Sequence, residues 1–335
     1  MSRDDANRRH PAMDVLVTGG AGYIGSVITA RLLARGHAVT VYDDLSRGHR
    51  EAVDERAAFA EGDVRDEDWL AEVLRVRGCT AVVHMAALAE VGESVREPER
   101  YHDVNVNGTA AVIAAARAAG AGRLVFSSTA AVYGEPSRVP IAEEDELAPT
   151  NPYGASKLAG ERLLEAARER GDLAYAALRY FNACGADGPH GEDHRPETHL
   201  LPLALRAARD GEALRVFGDD YGTPDGSCVR DYVHVADLAD AHVAALEALP
   251  DVHGSFNLGT GAGDSVRAVL DAVRRVTGLD LRAEVVTRRP GDPPSLVAGN
   301  ARAGAGLGWR PQRSLDDAVR DAWEWMLAHP SGYMS

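Results

Sequence analysis

From Met13 onward, short runs of β-branched and aliphatic residues alternate with longer Ala/Leu-rich stretches whose apolar positions recur at helical spacing: DVLVT, IGSVITARLLARG, HAVTVYD, DWLAEVLRV and AVVHMA. Short apolar runs divided by amphipathic helices are the pattern of parallel strands buried on both faces. The spacing therefore predicts repeated βα units and an α/β fold with a doubly wound parallel sheet of the Rossmann type. Gly36 reads as the C-terminal cap of the first helix, and LVFSST (124–129) and AYAALRYFN (174–182) as further buried strands. Beyond Asn182 the rhythm breaks into CGADGPHGEDHRPETH, too long for a mere connector in a compact domain. A helix (HLLPLALRAARDG) and a second loop follow, and then HVADLADAHVAALEAL and FNLGTG return to the βα style. The expected organisation is a disordered tail over 1–12, a first domain over 13–182 that 234–263 rejoins, and a smaller C-terminal α/β lobe built from 183–233 and 264–330.

Composition narrows the partners. The 335 residues include 36 basic and 51 acidic side chains, a formal charge of -15, which argues against nucleic acid or an anionic membrane as a partner. An anionic ligand must then be held by local groups. Cys79, Cys184 and Cys228 lie far apart with no C-x-x-C pair, so neither a disulfide framework nor a metal site is expected, and a reducing cytoplasm fits. No apolar run reaches the ~18 residues that a membrane-spanning helix needs, and the opening MSRDDANRRHPA lacks the apolar core of a signal peptide.

Two stretches carry candidate chemistry. VLVTGGAGYIGS contains G-x-G-x-x-G at Gly20, Gly22 and Gly25, and also G-x-x-G-x-x-G at Gly19, Gly22 and Gly25, between an expected strand and an expected helix. There glycines let backbone N–H groups approach a pyrophosphate at the positive helix end. Asp43, eighteen residues after Gly25, ends the second expected strand. A carboxylate at that place accepts from ribose hydroxyls and repels a 2′-phosphate, favouring NAD over NADP, although Arg47 nearby weakens the preference. In NPYGASK, Tyr153 and Lys157 stand four apart, on one face of a helix. A lysine ammonium and a cationic cofactor ring beside a phenol would favour the phenolate, making Tyr153 a candidate general base, with Thr129 at the end of FSST a second hydroxyl.

TGGAGYIG, the Asp43-Asp44 pair, FSSTAAVYG, NPYGASK, LRYFNACGA, VRDYVHVADLA and RRPGDP, in this order, resemble the extended short-chain dehydrogenase/reductases, and most closely the UDP-glucose (UDP-galactose) 4-epimerases, from about Met13 to the C-terminal helix. That resemblance implies a redox-neutral 4-epimerisation of a UDP-hexose, with the first domain binding NAD and the smaller lobe the nucleotide sugar. Tyr153 is then the base, Lys157 its partner on the nicotinamide ribose, and Thr129 the family's serine or threonine. It further implies cofactor contacts at Gly19, Gly22, Tyr23, Ile24, Gly25, Asp43, Asp44, Ser46, Met85, Ala86, Ala87, Asn105, Ser127 and Tyr180, with Asp63 and Val64 at the adenine. Substrate contacts are implied at Thr129, Asn182, His199, Leu200, Phe217, Arg230, Arg289 and Asp292, and a homodimer is implied as the assembly.

The chain departs from its relatives at three places. Ala89 stands where several carry a lysine near the pyrophosphate, and Leu296 falls at the position that gates sugar bulk. Arg195, in a loop expected to close over the sugar, has the geometry to pair with a C6 carboxylate, which would admit UDP-glucuronate. A nucleotide-sugar 4,6-dehydratase is the rival within enzymes, but it needs an acid pair after the catalytic hydroxyl, and here Ala130 and Ala131 follow Thr129. A non-catalytic NAD-binding sensor is the rival outside them, and it would have no need of a proton relay.

Overall fold

The computed structural model describes residues 11–289 and 292–333. Of the expected tail over 1–12, all but Pro11 and Ala12 lies outside the described residues, as do Pro290 and Gly291 of RRPGDP. The strands are β1 (Asp14–Thr18), β2 (Ala38–Asp43), β3 (Ala58–Glu61), β4 (Ala81–His84), β5 (Arg123–Thr129), β6 (Ala174–Tyr180), β7 (Asn182–Cys184), β8 (Ala213–Phe217), β9 (Val229–Arg230), β10 (Tyr232–His234), β11 (Gly254–Leu258), β12 (Asp264–Ser265), β13 (Arg282–Val286) and β14 (Ser295–Leu296). The helices are α1 (Tyr23–Ala34), α2 (Glu67–Val76), α3 (Val91–Arg96), α4 (Pro98–Tyr101), α5 (Gly108–Ala119), α6 (Pro152–Glu169), α7 (Leu200–Asp210), α8 (Val235–Ala248), α9 (Val266–Thr277), α10 (Ala301–Leu307) and α11 (Leu315–Ala328).

The main sheet has seven strands in the order β11-β6-β5-β4-β1-β2-β3, all parallel. Strand order reverses between β1 and β4, and a doubly wound sheet opens its ligand crevice outside the carboxyl ends of the strands at that reversal. Along β1 the side chains alternate between faces: Val15 and Val17 enter a core with Ile28, Leu32, Leu238 and Leu246 of α1 and α8, while Leu16 enters another with Leu70, Leu74 and Val112 of α2 and α5. Both faces are therefore dry, which is why these strands read as unbroken apolar runs.

AYAALRYFN is not one strand. Pairing with β5 ends at Tyr180, and after Phe181 the chain joins β10 as β7 in a separate parallel pair. The change of partner turns the chain out of the main sheet toward a second core, where Leu201, Leu205, Leu214, Val216, Leu270, Val273, Val319 and Met326 pack. Among the described residues no helix is long and apolar enough to cross a membrane.

Candidate active site

The crevice begins at the β1–α1 turn. A Cβ on Gly19 would lie 2.5 Å from Ala86 N, and one on Gly25 would overlap the Gly19 carbonyl oxygen and sit 2.9 Å from Gly20 Cα. Gly19 also has φ +67°, a left-handed backbone that glycine adopts without strain. The turn is thus packed too closely for side chains, with Gly22 as the N-cap of α1 and Ile24 in its first turn, and its helix end is exposed to an anion. Gly25→Ala is expected to lower NAD affinity by about tenfold or more, the equivalent of the lower end of ~1–3 kcal/mol for overpacking. Nucleotide released from denatured protein measures it; full occupancy in the variant would count against the cradle.

Asp43 closes the far wall. Its Oδ2 accepts from Ala21 N (3.0 Å) and its Oδ1 from Leu45 N (2.9 Å). Burial raises its pKa, opposed by those two amides. Each oxygen keeps a lone pair for a ribose hydroxyl. Asp44 instead accepts from Ser46 N and Ser46 Oγ, shaping the loop. Arg47, expected from the sequence to weaken the preference for NAD, is held by both oxygens of Glu93 (2.8 and 3.0 Å), consistent with NAD. Asp63 is chelated by Arg65, and Val64 is buried beside Gly108.

Met85, Ala86 and Ala87 leave the end of β4, with Met85 N and Ala86 N tied to Thr18. Asn105 does not need a ligand to complete its bonding: it accepts from Leu88 N (2.8 Å) and donates to Leu88 O (3.0 Å) and Ser156 Oγ (2.9 Å). It therefore fastens this wall to α6. Tyr23 reaches across to donate to Gly185 O (2.6 Å), linking α1 to the smaller lobe.

Asn151 caps α6 by accepting from Gly154 N at 2.8 Å, and Pro152 starts the helix, so Tyr153 and Lys157 enter the crevice from its first turns. Tyr153 stands beside Thr129, and burial pushes its phenol up to about 12, with the neighbouring Thr129 hydroxyl opposing. Lys157 Nζ donates to Ser127 O at 2.8 Å and stands 5.0 Å from the centroid of the Phe126 ring. Tyr180 meets Ser127, and its phenol is raised by burial first and by Tyr153 nearby. The expectation that Lys157 itself lowers the phenol needs correction. Burial pushes the ammonium down to about 7, with Glu161 opposing, so low polarity drives both groups toward neutrality.

A sign follows for pH. An unfolded lysine titrates near 10.5, above the folded value of about 7, so between these limits the unfolded chain binds more protons and stability from this group rises with pH. In nucleotide-stripped protein Lys157→Met is expected to raise Tm by several degrees at pH 6, with the gain fading by pH 9 to 10. A pH-independent difference in calorimetry would contradict the burial argument.

The substrate-side residues separate into two groups. Arg289 lies over the Phe217 ring, 3.9 Å from its centroid, and Arg230 pairs with Asp292 while donating to Val229 O and Pro293 O. Arg289 and Asp292 line a cleft of ≈ 450 Å³ with Glu135 and Pro136, on the loop after β5. Asn182 opens β7, Leu200 opens α7, and Leu296 packs toward Val132, Tyr133 and Leu158. Arg195 and His199 belong elsewhere. Arg195 donates to Ser331 O (2.9 Å) and approaches Asp193 (3.5 Å), on the face of the loop toward the C-terminal segment. His199 Nδ1 stands 2.6 Å from Glu192; burial opposes its charge, but that carboxylate raises its pKa.

Sequence reading missed the buried network behind Thr129, Tyr153 and Lys157. Arg179 of β6 donates to Glu161 of α6 through Nε (2.9 Å) and Nη2 (2.6 Å), and to Tyr133 Oη (2.8 Å), which donates to Asn257 Oδ1 (2.7 Å). Glu161 also accepts from Ser128, the neighbour of Thr129. The available signal was an arginine inside an apolar strand and a glutamate one helical turn beyond Lys157.

A glycine-cradled crevice at a sheet reversal, flanked by a neighbouring Thr–Tyr pair and a buried lysine, defines a dinucleotide-dependent enzyme of the short-chain dehydrogenase/reductase class. The model of the NAD dependent epimerase/dehydratase family matches residues 15–259. The chain is 50% identical over 321 residues to a UDP-glucose 4-epimerase of Streptomyces lividans, covering 95% of this chain and 97% of that one. It is 48% identical over 327 residues to that of Halalkalibacterium halodurans, covering 96% and 98%. A crystal structure of the Brucella ovis UDP-glucose 4-epimerase in complex with NAD superposes with TM-score 0.90 at 46% identity, over 93% of this chain and 98% of that one. The protein belongs to the NAD dependent epimerase/dehydratase family, and its cofactor is NAD.

Proposed function

We propose that this protein interconverts UDP-glucose and UDP-galactose by inversion at C4. The observation that carries the reading is the meeting of Thr129, Tyr153 and Lys157 at the carboxyl end of β5, beside the glycine cradle. The smaller lobe, 183–233 and 264–330, takes the nucleotide: Arg230 and Arg289 suit a diphosphate, and Phe217 offers a ring face to uracil. NAD, when bound, supplies the hydride acceptor and then the donor. Tyr153 Oη, as the phenolate that the cationic ring of bound NAD would favour, accepts the proton of the C4 hydroxyl as hydride leaves C4, and returns it once hydride has come back to the opposite face of the 4-keto sugar. Thr129 Oγ1, beside that phenol, steadies the same oxygen. Lys157, anchored on Ser127 O, faces the nicotinamide ribose in this reading.

Ala130 and Ala131 begin the turn after Thr129 and offer no acid to a leaving hydroxyl, which supports epimerisation over dehydration. Arg195 is drawn to Asp193 and Ser331 O, so a C6 carboxylate would have to compete with a bonded carboxylate and carbonyl. The neutral hexose is therefore the favoured substrate. Purified protein incubated separately with UDP-glucose and UDP-glucuronate, with products resolved by chromatography, is expected to form UDP-galactose at the higher rate. Faster formation of UDP-galacturonate would replace this reading with a uronate epimerase.

A further inference from the structure

The loop between β7 and α7 gathers a second set of titratable side chains, spaced Glu-x-His-x-x-Glu-x-His: Glu192, His194, Glu197 and His199. Glu192 Oε1 lies 3.1 Å from His194 Nδ1 and 2.6 Å from His199 Nδ1, and Glu197 Oε1 lies 3.4 Å from His199 Nδ1. One ligand-capable atom from each residue falls within 4.8 Å of all the others. The Glu192 and Glu197 side chains are 8% and 1% exposed. Glu197 Oε2, His194 Nδ1 and His199 Nδ1 are all buried without an aligned hydrogen-bond partner. Three such atoms in one loop are uncommon, because buried polar atoms are almost always paired.

We propose that these four residues form a site for one divalent transition-metal ion of the zinc class, held by two imidazole nitrogens and two carboxylate oxygens. Two neutral imidazoles and two carboxylates carry two negative charges, which one such ion neutralises. Zinc–nitrogen and zinc–oxygen bonds of ~2.0–2.2 Å set tetrahedral ligand atoms roughly 3.4 Å apart, a distance that small side-chain rotations reach from the observed cluster. Calcium and magnesium prefer all-oxygen shells, so the imidazoles select against them. Glu197 is already oriented, since its Oε1 accepts from Thr198 N (2.7 Å) and His199 N (2.8 Å). The expectation of no metal site rested on the absence of paired cysteines, which bears on thiolate ligands and not on imidazoles and carboxylates.

With four protein ligands the shell is closed, and the ion's role is structural. The loop touches the cofactor side of the molecule: Thr198 Oγ1 donates to Glu90 (2.6 Å), and the His194 ring meets Tyr23 edge-on at 6.3 Å. The ion clamps this loop, and with it the smaller lobe, against the start of α1.

The test uses untagged, chelator-treated protein titrated with Zn²⁺ by calorimetry. One ion per chain is expected, with Tm raised by zinc and restored by EDTA, and with affinity weakened about 100-fold or more in Glu192→Gln/His194→Gln. Co²⁺-loaded wild type is expected to show the intense visible bands of a tetrahedral nitrogen/oxygen site, a readout that does not depend on the variant folding. Substoichiometric zinc, equal affinity in the two proteins, or the weak bands of octahedral cobalt would each overturn the proposal.

Discussion

Tyr153→Phe is expected to lower kcat for UDP-glucose by about 10²–10⁴-fold, the range that a positioned general base contributes, at unchanged NAD content. The phenol lies beside the Thr129 hydroxyl. The buried His84 and Lys157 are poor substitutes. His84 is sealed between Thr18 Oγ1 (2.7 Å) and Thr109 Oγ1 (3.1 Å), and burial pushes it down to about 3, with Lys157 adding to the effect. Lys157 is tied to Ser127 O. Phenylalanine keeps the ring and its packing, so NAD measured by absorbance should stay constant while turnover falls. Activity within tenfold of wild type would remove Tyr153 as the base.

Arg179→Ala is expected to cost about 3–5 kcal/mol, because it leaves the Glu161 carboxylate buried and uncompensated, and to lower Tm by roughly 5 °C. Arg179 and Glu161 are 3% and 5% exposed, so water cannot replace the lost partner. The pair also joins β6 to α6 and, through Ser128, to the end of β5, the elements that carry Thr129, Tyr153 and Lys157. Arg179→Met/Glu161→Leu is therefore expected to recover much of the Tm, as apolar replacements of buried ion pairs often do, while kcat stays low at little change in KM. Full recovery of kcat with Tm would show that the pair only stabilises and positions nothing.

The βα rhythm, the glycine turn and the Tyr–x–x–x–Lys helix were legible because each is local. A period of 2 or 3.6, a turn that admits no Cβ and a one-turn spacing are written within a few consecutive residues. Asp43 was legible for the same reason, standing at the end of an apolar strand a fixed distance from the glycines. AYAALRYFN was misread as one strand because its composition is uniform, while the break after Tyr180 comes from exchanging β5 for β10 as partner. Arg195 was placed over the sugar from its loop position alone. Its actual partners, Asp193 and the Ser331 carbonyl, include one more than a hundred residues away in the chain.

By itself, then, the sequence determined the sheet class, the glycine turn and the tyrosine–lysine spacing on one helix, since these depend on backbone sterics and short-range periodicity. Only the tertiary structure decided that Glu161 neutralises Arg179, that Lys157 is held by Ser127 and pushed toward neutrality, and that two histidines and two glutamates converge on one loop. Those outcomes depend on which distant groups share a buried volume. Burial sets the strength of an electrostatic interaction far more than the identity of the residue does.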